Sequence, residues 1–466
     1  MITHLIPPTT RSARLTVALA LVLGAVAAGP VHAGELTLED AIVQALSQSP
    51  RLMAVRAEAR AARLQAQSAS LSRLPRVEAE LGASRTDHPV YVFGSLLAQE
   101  RFGPSNFGTF DPQQGAFDLS ILNTPDPVSN WRAAISVHQP IWTGGAITSG
   151  LNAARAQAEA ADQNAQRMSQ ATAFDAERAF RKALLSEERV AVLRASLGTA
   201  RAQAARVESL WAEGLALQSD RQSLVAHVRE MEAMVAGAAA DSAEARGVLG
   251  LVLGAEGPIE DTLQQPGEHG GSSAPLLSEA IDTASERGDV RAAHEQWRAA
   301  NAMRGVARAD LLPAMEVMAG TEHNSQDFFG EGGNQWMVGL GARWRLDAGA
   351  PGRVRSASAR AQAAQQAYEM TSRNAAREAR AAYERLNAAQ LQATALDAAV
   401  AASQESFRLV EERHREGLVT TLELTQSQDA LTRTRLGAAA AHTDRALALA
   451  ALKLAAGTLI SAEESR

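Results

Sequence analysis

Two long stretches of the chain carry apolar positions alternately three and four residues apart. Leu193, Leu197, Ala200, Ala204, Val207 and Trp211 form the first series. Leu386, Ala389, Ala393, Leu396, Val400, Ser403, Phe407, Val410 and His414 form the second. Such a heptad seam predicts coiled-coil helices, and its many Ala knobs predict close interhelix packing. The helices are expected over about 147–212 and 354–415, each roughly 90–100 Å long. Each is followed by a returning helix, near 217–253 and 420–456. His414, on the seam, reads as a packed or pore-facing residue rather than a ligand.

Elsewhere the period changes to two. Trp131, Ala133, Ile135, Val137 and Ile141 alternate with Arg132, Ser136 and His138. Trp336, Val338, Leu340, Ala342, Trp344 and Leu346 alternate with Gly339, Gly341, Arg343 and Arg345. Shorter alternations surround Glu78, Glu80 and Glu316. Four strands are predicted, near 76–84, 131–142, 314–320 and 335–346. One apolar face, one charged face and Trp near the ends fit an outer-membrane barrel, with Trp131, Trp142, Trp336 and Trp344 as membrane-interface aromatics. Four strands are too few to close a barrel, and an open edge in lipid leaves backbone groups unsatisfied. The barrel is therefore expected to be shared between chains. Two copies give a filled eight-stranded barrel and three give twelve strands, so a conduit favours three. The first inter-strand loop, about 85–130, is long and rich in Phe; the second, about 321–334, is short and polar. Both face outward, because both strand pairs return to helices.

The chain is written twice. Leu38-Glu39-Asp40-Ala41-Ile42 recurs as Leu277-Ser278-Glu279-Ala280-Ile281, and Leu74-Pro75 as Leu312-Pro313. Glu213-Gly214-Leu215 recurs as Glu416-Gly417-Leu418, and the Leu249 to Gly254 segment as Leu452 to Gly457. Four matches in the same order indicate internal duplication. The expected organisation is a first repeat over 34–254, a Gly/Pro/Ser linker over 255–275, a second repeat over 276–457 and a tail over 458–466. Each repeat opens with a helix (38–73; 278–311) that stops at its Leu-Pro, because Pro lacks the N–H and clashes with the preceding turn.

Composition narrows the function classes. Among 466 residues aromatics are 4% and Cys is 0, which excludes disulfides, thiolate metal sites and a lipid-acceptor Cys. The net charge of −7 argues against nucleic acid as a partner. The mean hydropathy is −0.15 and no apolar run reaches the length of a spanning helix. Residues 1–33 read as a secretory signal peptide: Arg11 and Arg14, an apolar run from Leu15 to Ala28, then Val31-His32-Ala33 at the cleavage site. Nucleotide, hydrolase and metalloprotease motifs are absent, and the ten His lack metal-ligand spacing. No catalytic residue, cofactor or metal is expected, so the chain is not read as an enzyme.

Taken together, the duplicated grammar resembles the TolC family of outer-membrane efflux proteins over essentially the whole mature chain. The marks are Leu36-Thr37-Leu38-Glu39-Asp40-Ala41, Gln139-Pro140-Ile141-Trp142-Thr143-Gly144-Gly145 leading into a helix, and the Gly-Leu pairs at 214–215 and 417–418. The resemblance implies a mainly α chain with a small β part. It implies a homotrimer with a twelve-stranded barrel in bacterial outer-membrane lipid, continued by a twelve-helix α-barrel through the periplasm. The helical end would meet a periplasmic adaptor coupled to an inner-membrane pump of RND or ABC type. The function expected is a passive exit duct for tripartite efflux or type I secretion, carrying drugs, metal ions or proteins. The alternative is an envelope-spanning coiled-coil structural protein without transport. Two departures stand out: without Cys the chain cannot be a lipoprotein, and the extended C-terminal segment of some members is missing.

The resemblance also assigns residues. Gly214, Leu215, Gly417 and Leu418, at the hairpin tips, would contact the adaptor; as residues alone they also fit bare turns. Asp220 and Glu423 each lie six residues after a tip Gly. The family places a gate-holding acid at Asp220 and an acidic constriction at Glu423, whose second acid is Gln426 here. The family's Arg two residues after the second tip Gly is Val419, so the locking network is expected to differ. As residues alone, both acids also fit solvated helix N-terminal positions favoured by the dipole.

Overall fold

A computed structural model describes residues 34–113, 115–266 and 275–460; residues 1–33, read above as a signal peptide, residue 114, residues 267–274 and the last six residues lie outside this description. In chain order the elements are β1 (Glu35–Leu36), α1 (Leu38–Gln48), α2 (Pro50–Leu71), β2 (Arg76–Thr86), α3 (Pro89–Ala98), β3 (Thr109–Asp111), β4 (Ala116–Asp118), β5 (Val128–Trp142), α4 (Ala146–Ala212) and α5 (Gln218–Leu253). The second half follows as β6 (Thr262–Leu263), α6 (Leu277–Ser285), α7 (Gly288–Ala309), β7 (Ala314–Ser325), β8 (Gly332–Arg343), α8 (Ala350–Arg415) and α9 (Thr421–Ala456).

The seams fold into α4 and α8, of 67 and 66 residues, or about 100 Å each. Leu193, Leu197, Ala200 and Val207 are buried on α4, and Leu386 and Ala393 on α8. The opening helix of each repeat is not continuous. Ser49 ends α1 and caps α2, accepting a hydrogen bond from Leu52 N at 3.4 Å, with Pro50 in the first helical position. The second repeat breaks at Arg287, between α6 and α7.

Two mirrored cores pack midway along the long helices. Ala41 and Ala45 of α1 meet Ala176, Phe180 and Ala183 of α4 and Leu249 and Leu253 of α5. Ala280 and Ala284 of α6 meet Ala379, Ala382 and Leu386 of α8 and Leu452 of α9. Small side chains let the backbones approach closely and leave little void to fill. Beside the second core, Arg287 is 4% exposed. It pairs with both Asp289 oxygens at 2.7 and 2.8 Å and with Glu378 at 2.9 Å, and donates to Ala455 O at 3.2 Å. Arg167 donates to Leu454 O and Gln170 to Gly457 O, so the last carbonyls of α9 are satisfied by side chains. Burial opposes the charge on Asp289, but the hydrogen bonds and attraction of Arg287 outweigh it and hold the carboxyl below its ordinary value. Burial and the neighbouring Arg287 lower Arg167.

The four long strands form one antiparallel sheet in the order β2-β5-β7-β8, leaving β2 and β8 as edges. Val77, Val137, Ala319 and Val338 share one rung, and Glu80, Ala134, Glu322 and Gln335 another. One face is apolar and open, with Val77, Leu81, Ile135, Val338 and Leu340 exposed. On the other, Arg132 joins Glu80 (3.2 Å) and Glu322 (2.7 Å) across three strands. A β-bulge between Pro140 and Trp142 sets Trp142 opposite Met315, on the apolar face. Uninterrupted alternation would have turned Trp142 to the charged face. The strand expected to reach residue 346 ends at Arg343, so Trp344 and Leu346 follow it.

Candidate functional site

Two ends of the molecule carry the residues singled out from sequence. At the helical end, α4 and α8 stop in the same way. Gly214 and Gly417 have φ of +79° and +76°, a left-handed conformation that costs other residues strain. Leu215 N donates to Leu210 O at 2.8 Å and Gly214 N to Trp211 O at 2.9 Å; Leu418 N donates to Arg413 O at 2.9 Å and Gly417 N to His414 O at 3.1 Å. Both tips are thus Schellman motifs. Leu215 and Leu418 are 72% and 70% exposed, and Leu217 and Leu422 beside them are also open. The leucines do not cap their own hairpins: each tip offers an uncovered apolar knob.

Asp220 and Glu423 both occupy the third position of their helices, α5 and α9. An acid there is favoured by the unpaired N–H groups of the first turn. Thr420 Oγ1 accepts from Glu423 N at 3.3 Å and fixes the start of α9. Glu423 and Gln426 are exposed, one turn apart. Asp220 is half-buried and lies within electrostatic reach of His414, as does Arg206. His414, also half-buried, stands 3.5 Å from Thr421 Oγ1. Burial lowers its pKa from the ordinary value of 6.5, Arg206 adds to this, and Asp220 opposes it. An acid of the first hairpin and a histidine of the second therefore lie within electrostatic reach of each other near the tips. Arg221 stacks over Trp211 at 4.5 Å and pairs with Glu208 at 2.5 Å, tying α5 back onto α4.

At the sheet end, Trp336 is 81% exposed and Trp344 is also open, its Nε1 donating to Leu311 O at 3.2 Å. Trp142 is exposed and Trp131 half-buried against Phe328. Trp131 and Trp142 lie eleven residues apart along β5, about 36 Å at the usual strand rise; at a 45° tilt that is about 25 Å of height, the thickness of an outer-membrane apolar band. Trp336 shares its rung with Thr321 and Ile135, inside the level of Trp131.

Several features escaped the sequence reading. The Asp220–His414 proximity, the Arg287 cluster and the Glu80–Arg132–Glu322 triad join residues remote in sequence, and periodicity carries no signal for them. The bulge was marked only by Pro140. Among the described residues no group of three or more His, Asp or Glu forms a metal site, and no helix is long and apolar enough to cross a membrane.

The sequence matches the outer membrane efflux protein family over residues 41–254 and 281–458. No curated relative matches it. Its fold is similar to that of a membrane protein from Pseudomonas aeruginosa, with a TM-score of 0.75 at 22% identity, covering 90% of this chain and 93% of that one. VceC of Vibrio cholerae superposes with a TM-score of 0.72 at 18% identity, covering 91% and 97%. The open-state MtrE channel of Neisseria gonorrhoeae gives 0.72 at 21% identity, covering 91% and 89%. With long paired helices, a four-stranded sheet and a family match across both halves, this chain belongs to the outer membrane efflux protein family.

Proposed function

We propose that three copies of the chain form a passive exit duct through the bacterial outer membrane, extending into the periplasm. The observation that carries this reading is the sheet: two unpaired edges and one exposed apolar face. In lipid, unpaired strand edges are costly, and closure removes them. Twelve strands leave a lumen, lined by the face that carries the Glu80–Arg132–Glu322 triad. Residues 34–254 and 276–457 act as two repeats that each supply two strands and one long helical hairpin. The six hairpins of a trimer make the periplasmic tube.

The tips at Gly214-Leu215 and Gly417-Leu418 dock a periplasmic adaptor, which couples the duct to an inner-membrane pump of the RND or ABC type; the duct binds no cofactor and supplies no energy. Glu423 and Gln426 of three copies line the closed mouth, and Asp220 holds it. Trp131, Trp142, Trp336 and Trp344 seat the barrel in lipid.

Single-channel recording in a planar bilayer tests this, on protein whose native mass is that of three chains. Discrete conductance steps are expected. A trimer that never conducts, even with Asp220 replaced by Ala, would favour the coiled-coil scaffold instead.

A further inference from the structure

The apolar face of the sheet is grooved near the end remote from the helices. Two successive rungs of that face read Leu81-Ala133-His323-Asn334 and Ala79-Ile135-Thr321-Trp336. Ala79 and Ala133 are too small to fill the space between their neighbours. A groove of about 460 Å³ results, lined by these two alanines, Leu81, Ile135, Thr321 and Phe329. Glu80, Ala134 and Glu322 border it as well. Their side chains belong to the polar face, so it is their backbone that forms the floor.

Phe329 reaches the groove through a costly turn. Its φ is +52°, a conformation rare for a bulky side chain. His323 holds that turn: its Nε2 lies 3.1 Å from Gly330 O and its Nδ1 lies 3.0 Å from Asn334 Oδ1. Strain of this kind persists only where surrounding contacts impose it. Here it sets a ring that is 73% exposed beside an apolar groove. The ring ends a row, with Phe329 packed on Phe328 at 4.4 Å and Phe328 on Trp131 at 5.0 Å. Trp131 pairs with Ala83 of β2, and Arg85 stands two residues further out on the same face. Arg85 is exposed and donates to Ser129 Oγ at 3.4 Å; among the described residues it pairs with no carboxylate. An unpaired cation on an otherwise apolar face calls for an anion that is itself part of an apolar surrounding.

The spacing fits one leaflet. Six residues of β2 separate Arg85 from Ala79, about 20 Å of strand. At a 45° tilt that is about 14 Å of height, close to half of an apolar band of about 25 Å. Arg85 lies at the end of β2 remote from the helices, hence on the outer side. From Arg85 inward the face therefore offers a cation, a row of rings and an apolar groove. A membrane lipid presents the complementary order: phosphate, interfacial backbone, acyl chain.

We propose that each chain holds an outer-leaflet lipid on the outside of the barrel, with one acyl chain in the groove beneath Phe329 and a phosphate on Arg85. This rests on the three-copy barrel proposed above, which turns this face to lipid.

Native mass spectrometry of the trimer, purified free of lipid in mild detergent, tests the site. The probe is lipid A, a phosphorylated and multiply acylated glycolipid, titrated beside its dephosphorylated form. Retention of one lipid A per chain is expected, with the dephosphorylated form held about fivefold more weakly. Arg85→Gln should lower retention of lipid A by about the same factor and remove the difference between the two probes. Ala133→Phe, which fills the groove from a side chain that faces lipid, should weaken both probes. Equal retention of the two probes by the unaltered protein, or unchanged retention in Ala133→Phe, would overturn the lipid site. A preparation with the mass of one chain would instead overturn the shared barrel.

Discussion

Glu423 and Gln426 face the same way on the first two turns of α9, and neither is covered within one chain. In a trimer, three Glu423 carboxylates crowd one mouth, attract cations and repel each other. Glu423→Gln should abolish cation preference and block by divalent ions in bilayer recordings; unchanged selectivity would move the constriction elsewhere on the seam. Asp220→Ala should instead raise the open fraction, since Asp220 lies within electrostatic reach of His414 on the second hairpin. His414 answers to pH. Its pKa is lowered chiefly by burial, so the folded contact favours the neutral ring. The stability it lends is complete above the ordinary value of 6.5 and is lost as pH falls through the lowered value. Acidification from pH 7 to pH 5 should therefore lower the thermal stability that His414 contributes, and His414→Gln should flatten that response.

At the scale of elements, the tips are the most exposed apolar points of the helical end. Leu215→Glu combined with Leu418→Glu should abolish export, measured as lost resistance or secretion in cells, while trimer mass and membrane insertion stay normal. If export survives, the tips are only turns. Both tips were legible in sequence, because Gly followed by Leu after a long heptad run is what a Schellman ending requires. The seams and the four strands were legible for the same reason: each follows a period that one face of an element imposes. The helix breaks at Ser49 and Arg287 were not foreseen, although Pro50 with Ser before it is a helix start. Each helix was drawn up to its Leu-Pro, and the polar punctuation at Ser49-Pro50 and at Ser285 to Asp289 was passed over. α3 hid for a different cause. Its ten residues are apolar nearly throughout, and its position depends on Gln99 and Gln335 meeting partners far along the chain. Trp142 shows the limit of alternation: one bulged residue moves everything beyond it to the other face.

On the whole-molecule scale, the Arg287 cluster joins α4, α7, α8 and the end of α9 at one point. Removing the guanidinium leaves Asp289 and Glu378 without their hydrogen-bonded partner, with only the charge of Arg167 acting on them. Arg287→Ala should destabilise the chain by about 2–4 kcal/mol, below the full value of a buried pair because both carboxylates reach water. Thermal unfolding in detergent reads this. With the acid of the pair held below its ordinary value, the contribution persists above pH 4 and is lost as pH falls through the lowered value.

That cluster also fixes where the second hairpin can pivot. Glu378 lies 39 residues from the tip at Gly417, an arm of about 58 Å. The first hairpin is held nearer its tip, where Arg246 pairs with Glu187 at 2.6 Å and donates to Ile259 O and Asp261 O. From Glu187 to Gly214 the arm is only about 40 Å. The two hairpins are arms of unequal length below these pins, joined to each other nearer the tips, where Gln428 Nε2 donates to Ser196 O at 2.8 Å and Ser196 bonds Thr432 at 2.8 Å. A swing of about 5° carries the longer tip about 5 Å and the shorter about 3.5 Å. Equal torque on both tips therefore opens the bore mainly by moving α8 and α9, and spin labels near Gly417 should travel further than labels near Gly214 when the duct opens.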